Sequence, residues 1–106
     1  SKNFKNQFWQ IRYKKKFVGT IALVDLKNKS VELRYAITSK FWNKGIFQIC
    51  LNLIMNYATK LNLKKIKVKT RIDNFASLAT LIKFRFKIKK IIKKNKSIYY
   101  LFEKIL

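Results

Sequence analysis

Glu32-Leu33-Arg34-Tyr35-Ala36-Ile37, followed by Lys40-Phe41-Trp42-Asn43-Lys44-Gly45-Ile46, is the stretch whose reading decides the fold. Its first half alternates as a strand does, and at Gly45 the period changes. Ile46, Ile49, Cys50, Leu53, Ile54, Tyr57 and Leu61 then recur at helical spacing, with Gln48, Asn52, Asn56 and Lys60 between them. A strand-loop-helix junction of this kind gathers free backbone N–H groups and the positive end of a helix at one spot. That makes a ready site for a phosphate or carboxylate. Lys44 adds charge beside it. Gly45 is one of only two glycines in the chain, and on mechanism alone either close approach of an anion or a tight turn accounts for it. Neither the G-x-x-x-x-G-K-[ST] phosphate loop nor the G-x-G-x-x-G dinucleotide turn is present.

Upstream of this stretch, Gln7 to Tyr13 reads as a strand with Trp9, Ile11 and Tyr13 on one face. Lys14 to Lys16 turns the chain into a second strand, Phe17 to Asp25, which carries Gly19. A glycine inside a strand marks a bulge or a close backbone approach. After a turn at Leu26 to Lys29, Ser30 to Ile37 makes the third strand of an antiparallel meander. Downstream of the helix, Lys64 to Thr70 alternates Ile66, Val68 and Thr70 against Lys65, Lys67 and Lys69, a strand with one wet face. Asp73 or Asn74 caps a second helix, whose apolar residues Phe75, Leu78, Ala79 and Ile82 fall at i, i+3, i+4 and i+7. Phe86 to Lys93 and Ser97 to Ile105 form two further strands. The fold class is α+β, in the order βββ-α-β-α-ββ, with a mixed and mostly antiparallel sheet. There are no internal repeats or linkers, so residues 1–106 are expected to form one domain.

The 106 residues are 49% hydrophobic and 15% aromatic, which argues for a packed core despite a formal charge of +22. The richest apolar run, Ile46 to Met55, is interrupted by Gln48 and Asn52 and falls well short of the roughly 18–20 residues that cross a bilayer. The N-terminus, Ser1-Lys2-Asn3-Phe4, has no apolar leader character. A single cysteine, Cys50, and no histidine point away from disulfides and from zinc. A reducing, cytoplasmic setting is expected. Cys50 falls on the apolar helix face and is read as core rather than nucleophile. A basic excess of this size suggests a polyanionic partner. Only Arg12, Arg34, Arg71 and Arg85 are arginines, however, whereas phosphate and base recognition favour arginine's planar fork. The wider bias toward Lys, Asn, Ile, Phe and Tyr also fits AT-rich codon usage, with lysine filling solvated positions.

The quoted stretch resembles the GNAT N-acetyltransferases, especially the branch that acetylates ribosomal-protein N-termini, which carries E-L-G-Y-x-I, an aromatic pair, G-K-G and an apolar helix. Phe17-Val18-Gly19-Thr20-Ile21, Asn74-Phe75-Ala76-Ser77 and Lys83-Phe84-Arg85-Phe86 match further family segments in order and at family spacing. The resemblance runs from about Phe8 to the C-terminus. It begins at the family's second strand, so the family's first strand and first two helices are absent from the sequence.

The resemblance implies a sheet splayed around a CoA site, with acetyl-CoA as co-substrate and no metal. Acetyl-CoA would lie between the third strand, at Tyr35, Ala36 and Ile37, and the Lys64–Thr70 strand. Backbone N–H groups of Asn43, Lys44, Gly45, Ile46 and Phe47 would hold the pyrophosphate, and Asn74 and Ser77 would contact the pantetheine arm. The acetyl group would pass directly to an amine, on a protein N-terminus or a side chain, with Glu32 as the candidate base. The positive surface suggests an acidic acceptor protein. Phe47 replaces the family's second small residue in the phosphate turn, Ile49 an acidic residue, and Arg85 a glycine. The tyrosine that serves as general acid in several branches falls at Leu81. A second reading follows from these departures: a scaffold without turnover, serving as a basic module for nucleic acid or an acidic protein.

Overall fold

The computed structural model describes residues 5–42 and 44–106. Strands β1 (Gln7–Tyr13), β2 (Lys16–Lys27) and β3 (Ser30–Ile37) form the meander. Helix α1 (Ile46–Lys60), strand β4 (Lys65–Arg71), helix α2 (Phe75–Lys83) and strands β5 (Lys87–Lys94) and β6 (Ser97–Ile105) follow. Two turns enter the left-handed region without glycine, at Lys14 (φ 51°) with Lys15 (φ 67°) and at Asn28 (φ 53°) with Lys29 (φ 63°). Positive φ at both central residues matches the twist of paired strands, which is why a two-residue hairpin adopts it. The second strand runs two residues beyond the expected Asp25, where a register irregularity between Val24 and Lys27 absorbs a positive φ at Asp25.

The six strands lie in the order β1-β2-β3-β4-β6-β5. Only β3 and β4 pair in parallel, with Val31 opposite Ile66 and Leu33 opposite Val68. Both β4 and β5 run antiparallel to β6, so they are parallel to each other. The connections through α1 and through α2 advance across the sheet in the same direction. Right-handed crossovers therefore put both helices on one face. Leu23, Leu33, Ile66, Val68 and Phe102 point to that face and pack with Leu51, Ala58 and Leu81 in a single buried core. The opposite register positions, among them Glu32, Arg34, Lys67, Lys69, Tyr99 and Leu101, share the other face.

Both helices bury a different stripe from the one their apolar spacing suggests. In α1 the buried residues are Ile46, Leu51, Ile54 and Ala58, whereas Ile49 and Leu53 are about 60% exposed. In α2 they are Ser77 and Leu81, whereas Phe75 and Ile82 face outward. Asn74 is the residue that caps α2: its side-chain oxygen accepts from the Ser77 N–H at 3.3 Å, which fixes where the helix starts and hence which residues turn inward.

Candidate functional site

Register between β3 and β4 stops at Leu33 and Val68. Beyond it the strands part, Arg34 to Ile37 staying with β2 while Lys69 to Arg71 stays with β6. The Tyr35 hydroxyl spans the gap to Thr70 Oγ1 at 3.2 Å. On the helix side of the gap lies a cavity of about 580 Å³. Its walls are the end of β3 (Tyr35, Ala36, Ile37), the start of α1 (Gly45, Ile46, Phe47) and the start of α2 (Asn74, Ser77).

Gly45 is the N-cap of α1 with φ 73° and ψ 7°. A Cβ built on it meets nothing within 4 Å, so the glycine answers a left-handed backbone and open space beside it rather than a crowded neighbour. Having no side chain, it leaves α1 without a side-chain cap, and the first turn contains no acidic residue. The first N–H groups of α1 thus lack the internal partner that Asn74 gives to α2, and they open at the positive end of the helix dipole. An anionic group fits this turn.

Aromatic side chains shape the wall. The Phe47 ring stacks on Tyr35 with centroids 4.2 Å apart and planes 25° apart. The ring replacing a small family residue is thereby held against the sheet. Trp42 donates from Nε1 to the Ile37 carbonyl oxygen at 2.6 Å, which ties the loop to the end of β3.

Most residues singled out in the sequence are brought together here. Tyr35, Ala36, Ile37, Gly45, Ile46, Phe47, Asn74 and Ser77 all line the cavity. Lys44 is exposed and does not line it, and Asn43 lies outside the described residues. Glu32 lines a separate cleft of about 320 Å³ on the other side of the gap, together with Arg34, Lys69, Arg71 and Tyr99. The two cavities share Tyr35 and Asn74. Glu32 accepts from Arg34 Nε, and its other oxygen lies 3.7 Å from Lys69 Nζ. That hydrogen bond, aided by the charge of Glu32, raises the Arg34 pKa. Cys50 on α1 is partly buried against the core, and that burial raises the pKa of its thiol. Sequence reasoning did not single out Thr70. Its signal was the one hydroxyl at an inward position of an otherwise apolar series, Ile66, Val68, Thr70.

A second groove of about 550 Å³ runs between β1 and α1, lined by Trp9, Ile11, Ile49, Leu53 and Tyr57. Among the described residues no group of His, Cys, Asp and Glu is placed to hold a metal ion, and no helix is long and apolar enough to cross a membrane.

A family model described as the acetyltransferase (GNAT) domain matches residues 1–87. No curated protein matches significantly. Among solved structures, a ribosomal-protein-S5-alanine acetyltransferase from Vibrio fischeri superposes with TM-score 0.78 at 22% identity, over 87% of this chain and 56% of that one. A ribosomal-protein-alanine N-acetyltransferase from Brucella melitensis gives 0.81 at 17% identity, over 93% and 68%. The microcin C7 self-immunity acetyltransferase MccE, solved with acetyl-CoA and AMP, gives 0.81 at 25% identity, over 99% and 63%. The chain thus spans 56% of the first of these relatives. With the splayed sheet, the glycine turn at the head of α1 and a domain match over residues 1–87, the chain belongs to the GNAT acetyltransferase family.

Proposed function

We propose that this chain binds acetyl-CoA in the cavity at the β3–β4 gap and transfers the acetyl group directly to an amine, on a protein N-terminus or side chain, in a cytoplasmic setting. The observation that carries this reading is the uncapped start of α1 opening into a cavity of about 580 Å³. Backbone N–H groups of Gly45, Ile46 and Phe47 are suited to a pyrophosphate, with Asn43 and Lys44 beside them in sequence. Tyr35, Ala36, Ile37, Asn74 and Ser77 wall the rest, where a pantetheine arm would run. The bound thioester supplies an activated acetyl carbon.

The protein's own contribution is position and polarity. Tyr35 and Thr70 hold hydroxyls at the gap, within the region where charge develops on a thioester oxygen. Glu32 is the carboxylate on the far side of the gap, placed to take a proton from an entering amine directly or through water. It is paired there with Arg34 and Lys69.

Those same ion pairs, together with the position of Glu32 outside the larger cavity, favour a second reading: a scaffold without turnover that serves as a basic binding module. Calorimetric titration with acetyl-CoA tests both. Saturable binding that weakens when Gly45 is replaced supports the first; no heat at millimolar ligand refutes it and leaves the second.

A further inference from the structure

The sheet face turned away from the helices carries an uneven charge. On β4, Lys67, Lys69 and Arg71 point to it; on β5, Lys87 and Lys90 stand opposite Glu103 and Leu101 of β6, and Lys94 opposite Ser97. The carboxylates there are already committed, Glu32 to Arg34 and Lys69 and Glu103 to Lys65. The β5 lysines have no ion-pair partner among the described residues, and β5 is the exposed edge of the sheet. Across β6, which puts Tyr99, Leu101 and Glu103 on this face, the β5 lysines flank the cleft of Glu32, Arg71 and Tyr99 at the β3–β4 gap.

We propose that this face receives an acidic acceptor segment, its N-terminal amine in the gap beside Glu32 and its carboxylates laid across β4 and β6 toward the β5 lysines. The proposal rests on the acetyl-transfer reading above. Strands are about 4.8 Å apart, so the path from the gap to β5 is roughly 14 Å, which about four extended residues span. The preferred acceptor thus has acidic residues directly after its terminal amine. A peptide suits the face better than a nucleic acid. Its free cations are lysines, point charges without arginine's fork, since Arg34 and Arg71 are tied to Glu32 and Asp73.

The test is fluorescence anisotropy with two labelled peptides, each with a free N-terminal alanine, one continuing in a glutamate run and the other in a glutamine run. The acidic peptide should bind about tenfold tighter near 50 mM salt, a gap that closes as salt is raised fourfold or so. Replacing Lys87→Gln, Lys90→Gln and Lys94→Gln together should abolish the preference and leave acetyl-CoA affinity, read by calorimetry, unchanged. All three side chains are exposed, and circular dichroism verifies folding. Equal binding of the two peptides overturns the proposal. So does a single-stranded oligonucleotide that binds more tightly than the acidic peptide and displaces it. Acid preference without acetyl-CoA binding overturns the acceptor role and the transfer reading together, whereas acetyl-CoA binding without acid preference overturns only this proposal.

Discussion

The two glycines are predicted to respond to the same substitution to different extents and for different reasons. Gly19 pairs with Ile37 across β2 and β3, and a Cβ built on it would lie 2.1 Å from the Ala36 carbonyl oxygen and 3.0 Å from the Ile37 Cα. Both are backbone atoms, so no side chain can swing aside. For Gly19→Ala, β2 and β3 must separate by about 1 Å at the end of β3, a strain of about 3 kcal/mol on the scale of core overpacking. At about 4–8 °C per kcal/mol for a domain of this size, the melting temperature should fall by about 12–24 °C. Gly45 has the positive φ but empty surroundings. Gly45→Ala therefore carries only the left-handed backbone term, about 1 kcal/mol and about 4–8 °C. Thermal melts followed by circular dichroism, with urea titrations as a check, compare the two directly. The reasoning is refuted if Gly19→Ala melts within a few degrees of Gly45→Ala. Ligand binding should separate them as well: the Gly45 variant, though folded, should lose acetyl-CoA affinity because a methyl group then stands beside the uncapped turn.

Three further outcomes follow from the structure. The Ser30 hydroxyl is buried without a hydrogen-bond partner, so Ser30→Ala should be neutral or stabilising by up to about 1 kcal/mol in urea unfolding; a loss of more than that would mean the hydroxyl is satisfied. With a charge of +22, self-repulsion should make the melting temperature climb by several degrees between about 0.05 and 0.5 M sodium chloride, and a flat response would contradict it. Burial raises the Cys50 pKa, so less thiolate is present at a given pH than in a free thiol. Alkylation by iodoacetamide at pH 8 should run at least several-fold slower than for a model thiol and accelerate only at higher pH; equal rates would show Cys50 to be open to solvent.

How much of this was legible in the sequence differs by element. The order of elements along the chain and most of the cavity-lining residues were readable because alternation and the Gly45 turn are local signals, and because Asn74 and Ser77 fall in family register. The buried stripes were not. Helix α1 is apolar on most of its circumference, so the spacing Ile46, Ile49, Leu53 fits a helical face as well as Ile46, Leu51, Ile54, Ala58 does. The sheet selects a stripe turned by roughly a fifth of a turn. In α2 the misplacement is larger, because Ser77 reads as an outward residue by polarity alone. It is buried where its N–H meets the Asn74 cap at the cavity wall, and Phe75 is displaced to solvent in consequence.

Glu32 shows a different limit. Its nearness to the expected site made it the candidate base, but a strand alternates its side chains between faces. Tyr35 and Leu33 point to the helix side, so Glu32, at odd spacing from both, must point to the other. The period that identified the strand therefore also placed the carboxylate across the gap from the cavity. On the proposed reaction that separation would have a chemical consequence: an amine reaching Glu32 would enter from the lysine-bearing face and the thioester from the helix face, and the two would meet where β3 and β4 part. Glu32→Gln should accordingly lower kcat for acetyl transfer by about 10²-fold or more, the typical share of a general base, with acetyl-CoA affinity unchanged by calorimetry. A parallel loss of acetyl-CoA binding would put Glu32 on the cofactor side and refute the two-sided arrangement.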